Sequence, residues 1–361
     1  MTTITDLMAD ENRTDAGQID AIDGCAGPGG WSVAAAALGI REAGIELDPW
    51  ACATRAAAGH LTVRADVAAF PLRHLAGRIR GLILSDPCGP FSAAGNRDGI
   101  GDLDRLHQAL DDLAAGRDTR RQLAAACADP RTPLAVEPLR YALELRPEWI
   151  ALEQVPALLP LRQHIARILR SRGYSAWTGI LNAADYGLGQ TRRRTILIAS
   201  RVRDVQPPAP THSETGGTDL LGHHTPQWRT MAETLGWGYL QRPAPTVTGG
   251  GTAGGGAEPF GNASRQAMRA AMDDPQHWAW ARPAPTLSGT VGHVGGRHAR
   301  GHLNLGAADA ALLQGFPHGY PFQGNKGQVA LQIGNAVPPP LALHVLSAAT
   351  GTPVPVPGAT P

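Results

Sequence analysis

The sequence predicts an α/β protein built on a doubly wound, mostly parallel sheet, with a second, smaller and loop-rich domain. Short apolar runs alternate with helical segments up to residue 203, which is the pattern of a parallel sheet covered by helices. The first run leads through a glycine-rich turn into a helix, as in the ligand-binding unit of such sheets. After residue 203 the chain becomes Pro- and Gly-rich, and a regular pattern of apolar residues returns near residue 304. We assign residues 1–203 plus 304–361 to the main domain and residues 204–303 to the second.

The opening unit consists of a strand at residues 19–23, a turn at 24–30 and an Ala-rich helix at 31–38. Glycines in the turn let the backbone approach a ligand, and the helix N-terminus favours negative charge. The dinucleotide fingerprint does not fit, because Ser32 stands at its third glycine position. A cofactor-binding turn and a purely structural turn both stay open.

Acidic residues mark the second and third predicted strands, at residues 43–47 and 61–67. Glu46 is placed to accept hydrogen bonds from both hydroxyls of a ribose, and Asp66 from an adenine amino group. Each acid also has a structural alternative. Glu46 can be a surface acid at a helix start, and Asp66 can cap a helix beginning near Phe70.

A rigid loop with a thiol follows the fourth predicted strand, at residues 81–85. Cys88 lies between two prolines, at the strand end where such sheets place ligands and chemistry. Most free cysteines are small buried hydrophobes, so a structural role competes with a catalytic one. The Gly-, Asn- and Ser-containing segment at residues 91–101 is expected to be mobile and to close over a substrate.

Another acid, Glu153, emerges from the apolar run of a strand predicted at residues 149–156. A carboxyl in such a position can donate a proton in catalysis. It can equally cap the helix predicted at residues 157–172. Both roles stay open at this point.

An arginine-rich segment enters the last predicted strand of the main domain. Alternate residues of extended chain face the same way, so Gln190, Arg192 and Arg194 share one face and Arg193 takes the other. Arginine runs are usually solvated patches. Because this run enters a strand, we expect the shared face to be buried and directed at a ligand.

The second domain combines arginines, tryptophans and glycine-rich loops, a composition that suits a nucleic-acid surface. Residues 187–361 hold 12 Arg, one Lys and 8 acidic residues, whereas residues 1–186 hold 19 Arg and 23 acidic residues. The positive excess favours the second half as the polyanion-facing part. The tryptophans have a competing role as the domain's core. An Arg-Pro-Ala-Pro-Thr unit occurs twice, at 242–246 and 282–286, which is too few for a repeat architecture.

Composition excludes several other classes of protein. Of the 361 residues, 43% are hydrophobic, enough for a substantial core. No apolar stretch approaches the roughly 20 residues that span a bilayer, and the polar first residues have no signal-peptide core. The four cysteines lie far apart, without metal-ligand or disulfide-framework spacing. We expect a reduced, cytoplasmic protein with no metal site and no membrane association.

Taken in order over residues 19–343, the motifs resemble those of the cytosine-C5 DNA methyltransferase family. The matching segments are a first cofactor motif at 23–30, acids Glu46 and Asp66, Pro87-Cys88, Glu153-Gln154-Val155, Gln190-x-Arg192-x-Arg194, the segment 282–286, and Gly334-Asn335-Ala336-Val337-Pro338-Pro339. A variable stretch separates the arginine motif from the last two segments, as in the family. Each segment is weak evidence alone, and their order makes the resemblance strong.

The resemblance implies the fold of S-adenosylmethionine-dependent methyltransferases and methylation of cytosine C5 in double-stranded DNA. It implies that Cys88 attacks C6 of a flipped-out base, that Glu153 holds the ring, and that Arg192 and Arg194 orient it. The implied cofactor-binding residues are Asp23, Gly27, Gly29, Gly30, Glu46, Asp66, Asn335 and Val337. Residues 204–303 would recognise the DNA sequence.

The resemblance also implies a monomer and a place in restriction–modification, with phage and orphan roles left open. Two alternatives compete with the DNA-methylating enzyme. A tRNA cytosine-C5 methyltransferase would use the same chemistry, although the resembling tRNA enzymes have a shorter, helical insert. A non-catalytic DNA-binding relative is the alternative from another functional class.

Five positions in four motifs depart from the family's usual sequence. Cys25 replaces an aromatic residue, which would loosen packing around the cofactor. Asp86 and Gly89 replace the first Pro and the Gln of Pro-Pro-Cys-Gln, and an acid at 86 would, if close, disfavour the Cys88 thiolate. Gly189 replaces a Pro, and Gln154 replaces the Asn of Glu-Asn-Val while keeping its chemical type.

Overall fold

The computed structural model describes residues 18–92, 97–218, 222–236, 274, 278–287 and 305–355. Over these residues the helices are α1 Gly30–Ala37, α2 Pro49–Ala57, α3 Leu103–Ala114, α4 Arg120–Ala126, α5 Glu137–Leu145, α6 Leu159–Ser171, α7 Met231–Thr234, α8 Ala307–Leu313, α9 Lys326–Asn335 and α10 Pro339–Thr350. The strands are β1 Ala21–Gly24, β2 Glu42–Glu46, β3 Leu61–Arg64, β4 Gly81–Leu84, β5 Trp149–Gln154, β6 Ser175–Asn182, β7 Gln190–Thr191, β8 Arg193–Ser200, β9 Gly217–Thr218, β10 His224–Thr225 and β11 Ala284–Pro285.

A seven-stranded sheet in the order β3-β2-β1-β4-β5-β8-β6 forms the centre of the main domain. Strands β3, β2, β1, β4 and β5 run parallel, and β8 runs antiparallel to both of its neighbours. The strand order reverses between β1 and β4, whose ends pair as Gly24 with Leu84. Ligands bind at such a switch point, outside the carboxyl ends of the strands. The glycine-rich turn and the Cys88 loop both leave the sheet there.

Alternating side chains of the sheet enter two cores, as expected for a sheet with helices on both faces. On one face, residues such as Ile22, Leu82 and Leu152 pack against α3, α5 and α6. On the other face, Ala21, Ile83 and Ala151 pack against α1 and α10. The predicted doubly wound α/β architecture is confirmed.

Several predicted element bounds are wrong in detail. No α-helix begins near Phe70; residues 65–80 instead contain one short 3₁₀ turn, Arg73–Leu75, whose Leu75 enters the core. The third strand ends at Arg64, three residues early. Pro133 and Pro156 lie in 3₁₀ turns before α5 and α6, and the second of these turns delays the helix predicted at residues 157–172 until Leu159. Each of these prolines lies in the first turn, where its missing N–H costs no hydrogen bond.

The described C-terminal part contains α8, α9 and α10 joined by irregular segments, and residues 336–338 separate α9 from α10. Residues 326–350 together are long and apolar enough to span a bilayer, but 72% of their most apolar stretch is buried inside the protein. Helix α10 packs against α1 and the sheet, which accounts for this apolar character as core packing.

Little of the predicted second domain can be compared with the structure. Its described parts are residues 204–218, 222–236, 274 and 278–287. Helix α7 and strand β11 lie in a third core with α8 and α9. The first copy of the Arg-Pro-Ala-Pro-Thr unit, at 242–246, lies outside the described residues. The domain boundaries therefore stay predictions.

Candidate active site

The glycine-rich turn after β1 is joined to the acid that ends β2. The backbone N of Gly27 donates to Glu46 Oε2 at 2.7 Å, and Glu46 Oε1 accepts from the backbone N of Leu47 and of Asp48. Asp48 caps α2 by accepting from Trp50 N and from Ala51 N. Asp48 thus performs the capping role at this helix start, and Glu46 is held beside the turn.

Asp23 is a fully buried acid at the end of β1. Neither of its carboxyl oxygens has a hydrogen-bond partner among the described residues. Burial raises its pKa well above the usual value, the charge of Glu42 adds to this, and Arg55 opposes it. Arg55 itself forms a buried ion pair with Glu42 at 2.8 Å. A buried carboxyl of this kind gains from a cationic or hydrogen-bond-donating ligand.

The first and last motifs meet where α1 begins. A Cβ atom on Gly30 would overlap the carbonyl oxygen of Val337 and lie 3.1 Å from its carbonyl carbon. Val337 is buried, whereas Asn335, at the end of α9, is exposed. The Tyr320 hydroxyl donates to the Pro28 carbonyl at 2.6 Å, which also ties the C-terminal part to the turn.

Asp66 is exposed, and its Oδ1 accepts from the backbone N of Ala68 at 2.9 Å. This bond closes a turn, and no α-helix follows it. The prediction that Asp66 caps a helix beginning near Phe70 is therefore wrong. The Asp66 carboxylate does accept a hydrogen bond from a nearby backbone N–H group.

Three predicted functional groups lie at neighbouring ends of β4, β5 and β8. Arg194 Nε lies 2.9 Å from Glu153 Oε1, with both side chains about nine-tenths buried. Burial raises the pKa of the Cys88 thiol, and the charge of Glu153 raises it further, whereas Arg194 and Arg192 lower it. Cys88, Glu153 and Arg194 therefore share one electrostatic environment. The structure brings together the predicted nucleophile, acid and arginine.

Arg192 is buried and bonds mainly to the backbone. Its Nη2 donates to the carbonyls of Gly334 and Ala336 at 2.9 and 3.0 Å, and its Nη1 to that of Leu287 at 3.3 Å. Burial, followed by the charge of Arg194, lowers its pKa to about 9. Arg192 thus fastens the last motif to the arginine motif while keeping its positive charge at neutral pH.

Gln190 reinforces the same junction. Its Nε2 donates to the Leu313 carbonyl and to Gln314 Oε1, both at 3.0 Å, and its Oε1 accepts from Leu287 N. Gln190, Arg192 and Arg194 are buried and Arg193 is exposed, so the predicted alternation of faces is confirmed.

The charge of Asp86 is compensated by Arg162, so Asp86 is not the acid that raises the pKa of the thiol. Its carboxylate forms an ion pair with Arg162 and accepts from Gln154 Nε2 at 2.9 Å. The thiol pKa is raised by burial and by Glu153 instead. The sequence analysis missed Arg162, although its position gave a signal: it shares a helix face with Ile165, at the spacing of a core residue.

A second missed residue is Arg131, which lies beside the Cys88 loop. A Cβ atom on Gly89 would stand 2.7 Å from Arg131 Nη1. Asp129 holds this guanidinium through Nε at 3.0 Å and Nη2 at 2.6 Å. The arginine thus occupies space that a side chain at position 89 would need.

Part of the predicted closing loop is described. Gly99 N donates to the Pro90 carbonyl at 3.1 Å, and the buried Phe91 packs into the core at the base of the loop. Residues 93–96 lie outside the described residues, so closure over a substrate stays a prediction.

Comparison with known proteins agrees with the arrangement of the motifs. The C-5 cytosine-specific DNA methylase family matches residues 123–350. The type II methyltransferase M.NaeI of Lentzea aerocolonigenes is 28% identical over 358 residues, covering 90% of this chain and 73% of the relative. M.NgoMIV of Neisseria gonorrhoeae is also 28% identical, over 90% of this chain and 95% of its own. The crystal structure of S. pombe Dnmt2 methyltransferase shares the fold, with a TM-score of 0.57 at 12% identity over 91% of this chain and 97% of the other.

Proposed function

The chain belongs to the C-5 cytosine-specific DNA methylase family and is a S-adenosylmethionine-dependent DNA cytosine-5-methyltransferase, and we propose that it acts on a flipped-out cytosine through a covalent Cys88 adduct. One observation carries this proposal. The Cys88 thiol, the Glu153 carboxyl and the Arg194 guanidinium share one environment at the carboxyl edge of the sheet, beside the glycine-rich turn.

The reaction needs a nucleophile because cytosine C5 attacks poorly until another group has added to C6. The Cys88 thiol first gives its proton to solvent water, and its sulfur then forms a bond to C6 while the electrons of the C5–C6 double bond become available at C5. The residues of the glycine-rich turn would hold S-adenosylmethionine, which would supply the methyl group for C5 with loss of its bond to sulfur. A base then removes the C5 proton, the C5–C6 double bond re-forms, and Cys88 leaves as thiolate.

Glu153 and the arginines support the charge that develops during these steps. Glu153 shares a proton with N3 of the ring, which neutralises the ring when Cys88 adds. Arg194 contacts Glu153 directly, so we assign it the base-facing role. Arg192 holds the last motif in place and contributes positive charge that favours the thiolate.

The residues of the turn fit S-adenosylmethionine. Glu46 is oriented by three backbone donors and is placed to accept from the ribose hydroxyls. The buried carboxyl of Asp23, which has no hydrogen-bond partner in the described part of the chain, suits the positive charge of the ligand's amino acid part. Gly27, Gly29 and Gly30 allow close approach of the backbone, and Asp66, Asn335 and Val337 complete the proposed site. Its two halves meet at the contact between Gly30 and Val337.

We assign recognition of the DNA sequence to residues 204–303, with the rest of the chain as the catalytic domain. The segment 91–101 closes behind the flipped base. The similar proteins from Lentzea and Neisseria are type II methyltransferases, which supports a role in restriction–modification. We propose in addition that the protein acts in the cytoplasm as a monomer.

Nucleoside mass spectrometry of Cys88→Ser tests this assignment. Purified protein, unmethylated duplex DNA and S-adenosylmethionine should give 5-methylcytosine with the wild type and none with the variant. The variant should still bind the cofactor by calorimetry. Cys127→Ser is the matched control, since Cys127 lies near Asp102, and it should retain turnover.

Each alternative has its own outcome in the same assay. Methyl transfer retained by Cys88→Ser overturns the covalent assignment. Methylation of RNA but not of DNA supports a tRNA substrate. DNA and cofactor binding by the wild type without turnover supports the non-catalytic relative.

A further inference from the structure

A buried ion pair lies next to the proposed nucleophile. Asp86, two residues before Cys88, pairs with Arg162 of α6, and both side chains are fully buried. Arg162 Nε and Nη1 have no hydrogen-bond partner among the described residues, so Asp86 is its counter-charge.

Gln154 joins this pair to the strand that carries Glu153. Its Nε2 donates to the Asp86 backbone carbonyl at 2.8 Å and to Asp86 Oδ2 at 2.9 Å. Its Oε1 accepts from Val155 N at 2.6 Å, which fixes the orientation of the amide. One cluster of contacts therefore connects the loop after β4, the end of β5 and helix α6.

The cluster contacts the segments that carry both the proposed nucleophile and the proposed acid. Asp86 is covalently two residues from Cys88, and Gln154 directly follows Glu153. A shift of the Asp86 carboxylate relative to Gln154 would therefore change the separation of nucleophile and acid. A proline at position 86, which the family motif usually has, offers no side-chain acceptor to Arg162 or to Gln154.

The cluster also keeps the surroundings of the thiol electrically balanced. The other charged groups near the thiol are Glu153 at the end of β5, Arg192 and Arg194 around β7 and β8, and Arg131 beside Gly89. Asp86 and Arg162 add one charge of each sign to this set. Losing either partner leaves one uncompensated charge in the low-dielectric interior close to Cys88.

We propose that Asp86, Arg162 and Gln154 form a buried, charge-neutral lock that positions Cys88 relative to Glu153. In this chain the lock takes the place of the proline expected before Pro87. The three are positioning residues, since they act through Cys88 and Glu153. The inference rests on the proposed role of Cys88 as nucleophile.

The test measures Cys88 itself, without DNA or cofactor. The full-length protein is alkylated with iodoacetamide between pH 6 and 10, and peptide mass spectrometry gives the rate at Cys88. Asp86→Asn leaves the Arg162 charge uncompensated, so the midpoint of the pH–rate profile should fall by about one unit. A midpoint lower by one unit gives about tenfold more thiolate at pH 7. The thiolate of a more acidic thiol is a weaker nucleophile, so alkylation should be about threefold rather than tenfold faster. The double variant Asp86→Asn with Arg162→Met should restore the midpoint.

Measurement of kcat and KM distinguishes an effect on the position of Cys88 from an effect on its charge environment. Both of these variants should lose at least about tenfold in kcat, with little change in the KM for DNA, because the loop is no longer held. Arg140→Met is the matched control, since it breaks another buried ion pair, with Glu137. It should lower Tm and leave the Cys88 profile unchanged.

An unchanged midpoint in Asp86→Asn, or wild-type kcat in the double variant, overturns the lock. If Asp86→Asn fails to fold, Gln154→Asn takes its place, because it shortens the amide and leaves the ion pair intact. It should lower kcat without moving the midpoint, and wild-type kcat would again refute the lock. A failure of the proposed function looks different, since Cys88→Ser would then retain methyl transfer.

Discussion

Replacing Gly30 by Ala should separate the two halves of the proposed cofactor site. Gly30 opens α1 and lies against the backbone of Val337 in the last motif. The added methyl group would overlap the Val337 carbonyl oxygen and stand 3.1 Å from its carbonyl carbon and 3.3 Å from its nitrogen. Favourable contacts between such atoms lie near 3.5–4.0 Å. The obstacle is backbone, so no side-chain rotation can relieve it.

The size of the effect follows from packing energetics. Overpacking a filled site costs about 1–3 kcal/mol, and a clash with backbone belongs near the upper end. At about 2 °C per kcal/mol for a protein of this size, Tm should fall by about 4–6 °C. A displaced Val337 segment should also weaken S-adenosylmethionine binding by about tenfold or more, which corresponds to about 1.4 kcal/mol.

Differential scanning fluorimetry and titration calorimetry measure these two quantities. Gly327→Ala is the matched control, because a Cβ atom there meets only Asn325 Oδ1, at 3.4 Å. It lies in the first turn of α9, and alanine there should hold or slightly raise Tm. If Gly30→Ala matched this control in both Tm and cofactor Kd, the contact between the first and last motifs would not matter as argued.

Two further substitutions test the buried polar groups. Burial raises the pKa of Asp23, so the folded protein holds a proton that the unfolded chain releases, and stability falls as pH rises through the ordinary carboxyl range. Asp23→Asn should therefore raise the Tm of the ligand-free protein above that of the wild type at pH 7 but not at pH 4. It should also weaken cofactor binding. Tm curves of the two proteins that run parallel across a pH series would contradict this argument. Arg192→Lys keeps the charge but cannot reach the carbonyls of Leu287, Gly334 and Ala336 together, so urea unfolding should show a loss of about 2–4 kcal/mol. The exposed Arg193→Lys is its control, and equal stabilities would show that these bonds contribute little.

The sheet and the order of its motifs could be predicted because they rest on local patterns. Apolar runs of four to six residues mark the buried strands, and a residue at a strand end is placed by the strand itself. This is why Cys88 and Glu153 meet, since β4 and β5 are parallel neighbours with Leu84 opposite Leu152. The alternation around Arg193 followed from the same rule.

The contacts that sequence could not predict join segments far apart in the chain. Arg192 bonds to carbonyls 95 to 144 residues away, and backbone carbonyls carry no sequence signal. The helix expected near Phe70 was wrong for the opposite reason. A local capping pattern at Asp66 was present, but the residues after it pack as a turn rather than a helix.

The departures at Asp86, Gly89, Gln154 and Gly189 are matched by partners elsewhere in the chain. Asp86 is paired with Arg162 and bonded to Gln154, itself one of the departures. A Cβ atom at Gly189 would overlap the hydroxyl of Thr234, so the small residue there accommodates α7.

Gly89 leaves room for the guanidinium of Arg131. A chain that had lost its catalytic role would be free to accumulate such changes singly, each leaving a cavity or an unpaired charge. Here each change at these positions comes with a residue that fills or neutralises it, and all of them surround Cys88 and the arginine motif. This pattern favours the enzyme over the non-catalytic relative.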